Sequence, residues 1–347
     1  WLTKMKALWA DVLQVDTVQP SDNFIEIGGD SLLSINVVAR AKKQGIELRP
    51  SHLFDFPTLA ELGLHMLEEA AFKNEGSGEG DLRSRNVSGT RTPFFMVHGG
   101  RRILNELRIV LGDDQPLHVQ PAHWDSGEIE RDTTLEEMAE EALDNLLTLQ
   151  AEGPYLIGGY SFGAVIAIEM VRRLEEAGKR VAMLFMLDPP EMTWLYRSLP
   201  VKPEVVAKGK PAKGPTLPER LTYYRKRLPE NVDYWLAMAC RALRLPESER
   251  LKTARNRMHV AKTYIRASEA YDMRALRSPV VVFRATGGYH KSDASIWYGM
   301  ARGKLTIEEF DCDHEDLQWD PAMVSHWAAM FKRYLDEAIE AESTQAD

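Results

Sequence analysis

The sequence predicts an all-α domain followed by an α/β domain whose mainly parallel sheet is covered by helices on both faces. Three observations lead to this prediction. Apolar residues recur at helical spacing through residues 1–71, a glycine-rich polar stretch comes next, and short apolar runs then alternate with amphipathic helical stretches. Strands that alternate with helices form mainly parallel sheets, so the second domain is expected to be α/β.

The composition is that of a globular protein, with 44% apolar and 27% charged residues in 347. No run approaches the ~18 uninterrupted apolar residues of a membrane-spanning helix, and no export signal is visible. Cys240 and Cys312 are too few for a disulfide framework and lack the spacing of a zinc site. We therefore expect a cytoplasmic protein without a metal, membrane or nucleic-acid partner. Because the chain begins at Trp1, we expect it to be part of a longer one.

The first domain is predicted to cover residues 1–73 and to be helical. Apolar residues recur at helical spacing over residues 2–13, a second helix runs from about Ser31 to Lys43, and a third covers residues 59–67 after Pro57. The loop between the first two helices is rich in residues that favour turns, including two adjacent glycines before Asp30.

Residues 74–92, NEGSGEGDLRSRNVSGTRT, are predicted to be a flexible linker. They contain four glycines, many charges and almost no apolar residues. Such a segment cannot bury enough apolar surface to offset the loss of chain entropy. The domain boundary is therefore placed here.

The α/β domain is predicted to cover residues 93–343, with helices at 134–150 and 164–177. Its strands are expected in five runs: FFMVHGG (94–100), YLIGGYSFG (155–163), VAMLFMLDPP (181–190), PVVVFRATGG (279–288) and KLTIEEFDCDHEDL (304–317).

An insertion of about residues 191–275 interrupts this alternation and is predicted to be an α-helical lid. Within it, residues 197–266 hold 17 Lys/Arg against 6 Asp/Glu, a balance of +11, although the whole chain carries −9. Residues 1–75 hold 7 Lys/Arg against 11 Asp/Glu, a balance of −4. The basic block is interpreted either as solvated helix faces or as a surface that attracts an anionic group or partner.

GYSFG, residues 159–163, fits the G-x-S-x-G pattern in the context that the pattern requires, since a strand precedes it and an apolar helix follows. The flanking glycines permit a sharp turn that presents the Ser161 hydroxyl. The helix N-terminus favours negative charge beside it. Ser161 is therefore predicted to be a nucleophile.

A serine hydroxyl needs a base, and the base needs a carboxylate that orients it. Asp188 ends the strand that follows the Ser161 helix, and Asp293, after the next strand, is the rival acid. His314 lies in a turn after the last predicted strand, and His290 is the rival base. The order Ser, Asp, His along the chain is that of an α/β-hydrolase.

Acyl transfer also needs two N–H groups directed at the developing oxyanion. One is predicted to come from Phe162, the residue after the nucleophile, and the other from Gly99 or Gly100 in the turn VHGG. Arg101 and Arg102 follow this turn. They are interpreted as exposed arginines or, alternatively, as ligands of an anionic substrate group.

Ser31 has no histidine near it in sequence, so it is not expected to be catalytic. The residues DNFIEIGGDSLLSI (22–35) resemble the attachment motif of acyl and peptidyl carrier proteins, and HLFDFPTLAEL (52–62) resembles their third and fourth helices. This resemblance covers about 70 residues and implies a four-helix carrier bundle. It also implies that a phosphopantetheinyl transferase attaches 4′-phosphopantetheine to Ser31.

The second domain resembles the type I thioesterases that end nonribosomal peptide synthetases and, more distantly, polyketide synthases. The matching residues are His98 to Gly100, Gly159 to Gly163, Asp188 and the pair Asp313-His314. The resemblance favours Asp188 over Asp293 and implies upstream synthetase modules. It also implies that an acyl or peptidyl thioester is transferred to Ser161 and released by hydrolysis or cyclisation. A hydrolase of free esters and an inactive scaffolding module are the alternatives.

Overall fold

The computed structural model describes residues 1–48, 52–63, 66, 82–123, 129–190, 232–243, 245–287 and 294–346. The chain divides into two compact units, residues 1–79 and 80–347. Among the described residues, no helix has the length and apolar character needed to cross a membrane, and no cluster of His, Cys, Asp or Glu could hold a metal ion.

The first unit is helical, as predicted. Its helices are α1 (Leu2–Leu13), α2 (Ser31–Lys43) and α3 (His52–Asp55), and residues 59–63 are also helical. Trp9 of α1 and Phe24 of the long loop form the centre of its core, with ring centroids 5.0 Å apart. The helical spacing of apolar residues in α1 therefore places one face of this helix against the loop and α2.

Backbone hydrogen bonds fix the loop between α1 and α2 to the last helical segment. Phe24 donates to the Pro57 carbonyl at 2.7 Å, and Ala60 donates to the Pro20 carbonyl at 2.8 Å. Thr58 and Glu61 form a capping box, in which each side chain accepts the N–H of the other residue. These contacts explain why the segment becomes helical at residue 59, just after the proline.

The second unit is built on a seven-stranded sheet in the order β1-β3-β2-β4-β5-β6-β7. Only β1 is antiparallel to its neighbour. The strands are β1 (Arg83–Arg85), β2 (Phe94–Val97), β3 (Leu117–Gln120), β4 (Tyr155–Tyr160), β5 (Val181–Leu187), β6 (Val280–Ala285) and β7 (Leu305–Phe310). Strands β2 to β6 are buried along their whole length, as expected for a parallel sheet covered on both faces.

Helices cover both faces of this sheet. They are α4 (Arg101–Leu111), α5 (Leu135–Leu149), α6 (Phe162–Glu176), α7 (Glu249–Ala270), α8 (Asp316–Trp319) and α9 (Pro321–Ala346). On one face, buried residues of α5, α6 and α7 form a single cluster with the strands. On the other, the Phe331 ring of α9 packs on Phe94 and Phe185 at 4.9 and 4.3 Å. The fold class is therefore the predicted one.

Two strands were not predicted from the sequence. β3 is only four residues long and contains His118 and Gln120, so it lacks an apolar run. β1 lies inside the segment predicted to be the linker 74–92, and it pairs with β3 while Ser84 Oγ contacts His118 Nδ1 at 2.8 Å. An edge strand is held by backbone hydrogen bonds, which composition does not reveal. Residues 74–81 of the predicted linker lie outside the described residues.

The predicted lid 191–275 also differs from the structure at its C-terminal end. Val260, Tyr264 and Ala267 of α7 are buried in the main core of the second unit, together with Tyr271 just beyond the helix. This stretch belongs to the α/β core because one narrow stripe of a largely polar helix faces the sheet helices. Residues 191–231 of the predicted lid lie outside the described residues.

Candidate active site

The predicted nucleophile, acid and base follow three parallel strands of the same sheet. Ser161 comes directly after β4, Asp188 directly after β5, and His314 four residues after β7. The carboxyl ends of parallel strands lie at the same edge of a sheet, which is where ligands bind in open α/β folds. The topology therefore gathers these residues at one edge.

Ser161 occupies a sharp turn between β4 and α6. It is the N-cap residue of α6 and has φ 52° and ψ −126°, a conformation that L-residues rarely adopt. Its N–H donates to the Leu187 carbonyl at 2.9 Å, and its carbonyl accepts the Ala164 N–H at 3.0 Å. Hydrogen bonds to β5 and within α6 thus hold the strained residue in place.

The two glycines of GYSFG are required because the chain approaches itself closely on both sides of Ser161. A Cβ atom on Gly159 would lie 2.3 Å from the carbonyl oxygen of Gly163. A Cβ atom on Gly163 would lie 2.3 Å from the carbonyl oxygen of Val97, at the end of β2. The missing side chains therefore allow α6 to begin directly against the turn that follows β2.

A short hydrogen bond joins the predicted acid and base. His314 Nδ1 lies 2.5 Å from Asp188 Oδ2, and the other carboxylate oxygen accepts the Ala285 N–H at 2.8 Å. Asp188 also donates its own N–H to the Phe283 carbonyl at 2.6 Å. Both carboxylate oxygens are engaged, so the carboxylate has a fixed orientation toward the imidazole. The rivals Asp293 and His290 lie outside the described residues.

Tyr160 links Ser161 to His314, a role that the sequence analysis did not predict. Its ring stacks on the His314 imidazole, with centroids 4.9 Å apart and an interplanar angle of 9°, and its hydroxyl donates to the His314 carbonyl at 3.1 Å. Burial, followed by the nearby Asp188, raises the pKa of Tyr160 well above its usual value, so this hydroxyl stays protonated. Its position within GYSFG was the available signal.

The hydroxyl of Ser161 and the imidazole of His314, both in the described part of the chain, do not hydrogen-bond to each other in this structure. Such bonds are often long in unliganded enzymes and tighten when substrate binds. Asp188 and His314 are thus joined directly. Ser161 is connected to them through its neighbour Tyr160, which stacks on His314, and through its hydrogen bond to β5, the strand that Asp188 follows.

The predicted oxyanion donors lie in adjoining turns. Phe162 is the first residue of α6, so its N–H has no acceptor within the helix. Gly99 and Gly100 lie between β2 and α4, and β2 pairs with β4 up to the register Val97 to Gly159. Arg102 Nη1 instead donates to the Trp319 carbonyl at 2.9 Å, which favours a structural role for this arginine.

The start of α2 presents Ser31 at its first helical position. Asp30, not Ser31, caps the helix, because Asp30 Oδ1 accepts the Leu33 N–H at 2.8 Å. Ser31 therefore directly follows the residue that caps the helix. The N-terminus of this 13-residue helix also favours a phosphate group, so the local structure fits the predicted 4′-phosphopantetheine.

Comparisons with known proteins match both units of the chain to families. A family model described as "Thioesterase domain" matches residues 107–329, which is more than half of the chain. The chain belongs to the thioesterase family. A second model, "Phosphopantetheine attachment site", matches residues 3–66 and includes Ser31 in its range. The predicted carrier and thioesterase organisation and the predicted cofactor are thereby confirmed, whereas the individual site residues stay predictions.

Curated relatives of this thioesterase include a synthetase and a nonribosomal peptide synthase. Malpinin synthetase of Mortierella alpina is 33% identical over 192 residues, which is 54% of this chain and 2% of that protein. A dimodular nonribosomal peptide synthase of Bacillus subtilis is 31% identical over 185 residues, 52% of this chain and 8% of that protein. The chain thus spans less than a tenth of the length of these two relatives.

The fold also resembles solved structures. A four-domain nonribosomal peptide synthetase bound to AMP and glycine aligns with 97% of this chain and 26% of its own, with a TM-score of 0.50 and 23% sequence identity. At this level of identity, the likeness shows the fold alone.

An aromatic cluster lies beside the turns that carry the predicted oxyanion donors. Tyr264 of α7 stacks on Phe162 at 4.4 Å and on His98 at 5.4 Å, and its hydroxyl lies 3.2 Å from His98 Nε2. Burial, with a smaller effect of the nearby His123, lowers the pKa of His98 to about 3, so His98 is neutral. Tyr264 lies within the segment predicted to be the lid, and its contact with Phe162 was not predicted from the sequence.

The described part of the basic block carries local ion pairs. Arg250 pairs with Asp233 at 2.6 Å, and Arg255 pairs with Glu247 at 3.1 Å. Part of the positive charge predicted for the lid is therefore compensated within the thioesterase unit itself. The interpretation of this block as an anion-attracting surface stays a prediction.

Proposed function

We propose that the chain is the terminal carrier and thioesterase part of a synthetase that releases an acyl or peptidyl product. The hydrogen bond between Asp188 and His314, at the same sheet edge as the strained Ser161, is the observation that supports this most. A hydroxyl nucleophile, an imidazole and an orienting carboxylate are the groups that acyl transfer through an acyl-serine requires.

Upstream modules of the same assembly line would supply the acyl or peptidyl group, and a separate phosphopantetheinyl transferase would modify Ser31. The bound 4′-phosphopantetheine supplies a terminal thiol that holds the acyl group as a thioester. The chain's own contribution at this end is to present Ser31 at a capped helix N-terminus, where the partial positive charge of α2 favours the phosphodiester.

In the first half of the reaction, Ser161 Oγ attacks the thioester carbonyl while His314 Nε2 accepts the hydroxyl proton. Asp188 holds His314 Nδ1–H and stabilises the imidazolium that forms. The oxyanion accepts hydrogen bonds from the Phe162 N–H and from the N–H of Gly99 or Gly100. When the C–S bond breaks, the thiolate takes the proton from His314, and an acyl-O-serine remains.

In the second half, His314 removes a proton from water or from a hydroxyl or amine of the acyl chain, which then attacks the acyl-O-serine. The C–O bond to Ser161 breaks and Ser161 Oγ recovers the proton from His314. Water gives a free acid, and an internal nucleophile gives a cyclic product. Tyr160 supports both halves because it fixes the His314 loop by stacking and by its hydrogen bond.

Reciprocal serine variants test this proposal. The chain is loaded from an acyl-coenzyme A by a phosphopantetheinyl transferase, and intact mass is followed with time. Ser161→Ala should accept the acyl-pantetheinyl adduct, but its rate of acyl release should fall by roughly 10⁴-fold or more. Ser31→Ala should take no adduct yet still hydrolyse a soluble acyl thioester. Ser21→Ala, an exposed serine of the same unit, is the matched control and should load normally.

Three outcomes would contradict the proposal. Release from Ser161→Ala at the wild-type rate would exclude Ser161 as the nucleophile, and failure of a fluorophosphonate to label wild-type Ser161 would indicate an inactive scaffold. Preference for simple esters over pantetheine thioesters would indicate a free ester hydrolase.

In the same release assay, Asp188→Asn should slow release of the acyl group by about 10⁴-fold, whereas Asp293→Asn should not slow it.

A further inference from the structure

Three aromatic rings from distant segments meet beside the candidate active site. Tyr264, in α7, stacks on Phe162 with an interplanar angle of 7° and on His98 with an angle of 17°. Only 2% of Tyr264 is exposed, so the arrangement is part of the packed core. One residue thus contacts both the start of α6 and the turn after β2.

These two contacts coincide with the two sources of oxyanion donors. Phe162 contributes its own N–H, and His98 begins the turn that contains Gly99 and Gly100. His98 has φ 62°, and Ser161, next to Phe162, has φ 52°. Turns that contain such residues persist only where neighbouring structure holds them in place. The Tyr264 hydroxyl, 3.2 Å from His98 Nε2, adds a polar contact to the stack.

The helix that carries Tyr264 packs on the core mainly through its C-terminal half. Residues 250–259 of α7 are exposed or half-buried, whereas Val260, Tyr264 and Ala267 are buried against the core. Just beyond α7, the Tyr271 hydroxyl donates to the buried Glu169 of α6 at 2.8 Å. Tyr264 and Tyr271 thus both contact the helix that follows Ser161, but of these two tyrosines only Tyr264 lies at the oxyanion turns.

We propose that Tyr264 is a positioning residue whose ring holds the Phe162 and Gly99–Gly100 backbones at the spacing that an oxyanion requires. The inference rests on the proposed thioesterase function. Donors must lie about 2.7–3.1 Å from the oxyanion, so a small displacement of either turn weakens stabilisation of the transition state. Removal of the ring leaves a cavity into which both turns can relax.

A defect of this kind has a characteristic kinetic signature. Interactions made only in the transition state affect kcat, whereas interactions made equally with bound substrate affect KM. We therefore expect Tyr264→Leu to lower kcat by about 10- to 100-fold, which is below the ~10²- to 10³-fold loss for removal of one whole donor. Its KM for a soluble acyl-pantetheine thioester should stay within about threefold of wild type.

The experiment uses the full chain with two Tyr264 variants and one control. Tyr264→Phe retains the ring and should keep kcat within about threefold of wild type. Tyr271→Leu removes an equally buried tyrosine from the same helix region, but this residue contacts Glu169 instead of the oxyanion turns. It should be destabilised to a similar extent and should retain kcat per folded molecule. A trifluoromethyl ketone analogue of the acyl group reports directly on oxyanion binding.

The expected result is that affinity for the trifluoromethyl ketone falls in Tyr264→Leu by the same factor as kcat/KM, with Tyr264→Phe close to wild type. The proposal is overturned if Tyr264→Leu and Tyr271→Leu lose kcat equally, or if Tyr264→Phe is as slow as Tyr264→Leu. If the proposed thioesterase function were wrong, the wild type would neither turn over the thioester nor be labelled at Ser161 by the fluorophosphonate. If only the role of Tyr264 were wrong, wild-type turnover and labelling would both remain.

Discussion

Ser31 and Ser161 each stand at the start of a helix, and they differ in how the backbone presents them. Ser31 is the first residue of α2, and the preceding Asp30 accepts the Leu33 N–H. Ser161 precedes α6, with φ 52° and ψ −126°. A helix N-terminus favours negative charge at both positions, which suits a phosphodiester beside Ser31 and the proposed oxyanion beside Ser161.

The difference shows how much structure each chemical role requires. The start of α2 is fixed by contacts within residues 30–34, since a serine that a separate enzyme modifies must mainly be accessible. The Ser161 turn depends on β2 and β5, because its N–H binds the Leu187 carbonyl and Gly163 abuts Val97. A nucleophile must be fixed relative to a base and to donors that come from distant parts of the sequence.

Gly163→Ala should displace the turn that presents Ser161, and the largest loss of activity among the substitutions compared here is expected from it. The added Cβ would lie 2.3 Å from the Val97 carbonyl oxygen, so either the start of α6 or the turn after β2 must move. A displacement of about 1 Å in an active site can cost 10²-fold in rate, so we expect kcat per folded molecule to fall by about 10²-fold. Loading of Ser31 should be unchanged, because this glycine lies in the other unit.

Gly178→Ala, at the other end of α6, is the matched control for Gly163→Ala. Gly178 has φ +70° and open space around its Cβ position. The substitution should therefore cost about 1 kcal/mol of unfolding free energy through backbone strain. It should leave kcat intact. Equal kcat for the two variants would show that the Ser161 turn tolerates displacement, and the distinction between the two serines would lose its basis.

The chemistry of the site could be predicted where a local pattern and a chemical requirement coincide. GYSFG between a strand and a helix predicts Ser161 as the nucleophile, and the ends of later strands predict Asp188 and His314 as its partners. The structure joins Asp188 to His314 by a hydrogen bond, and the roles of the three residues stay predictions. The Ser31 helix was predicted with its bounds, because two glycines and Asp30 precede an apolar periodic run. These features depend on residues close in sequence or on the order of strands.

What sequence reasoning missed depends on contacts between distant segments. β1 and β3 are short and largely polar, and pairing of the backbone, not composition, makes them strands. Tyr264 was assigned to a lid, although Val260, Tyr264, Ala267 and Tyr271 follow the helical spacing of a buried stripe. That stripe predicts burial but does not identify the partners of its residues, so the stack on Phe162 could not be predicted.

Acid pH should weaken the thioesterase unit through His98, which is buried against Tyr264. The pKa of His98 is about 3 in the folded state, against about 6.5 when unfolded. Between these values the unfolded state binds more protons, so this contribution to stability is complete above pH 6.5 and is lost as the pH falls toward 3. The slope is about 1.4 kcal/mol per pH unit, or roughly 2 kcal/mol at pH 5.

Urea unfolding of the wild type and of His98→Gln at pH 7 and pH 5 measures this effect. Glutamine cannot take up the proton, so the destabilisation caused by His98→Gln at pH 7 should shrink by roughly 2 kcal/mol at pH 5. The transition of the carrier unit provides an internal reference, since it does not contain His98. If the unfolding free energies of the two proteins changed equally between pH 7 and pH 5, His98 would bind its proton as readily in the folded state as in the unfolded state, and its pKa would not be lowered.

The stability of the helix start that carries Ser31 should depend on its local cap, Asp30. Asp30→Ala removes the acceptor of the Leu33 N–H, so the carrier unit should lose about 1 kcal/mol of unfolding free energy. Asp30→Asn keeps an oxygen at the same position and should recover most of this loss, because asparagine caps helices about as well as aspartate. Thermal unfolding of the carrier unit measures both variants, and hydrolysis of a soluble acyl thioester should be the same in each. An Asp30→Ala variant as stable as the wild type would contradict the assignment of Asp30 as the cap. The cap would then have to come from Ser31, whose hydroxyl would have a structural role besides attachment.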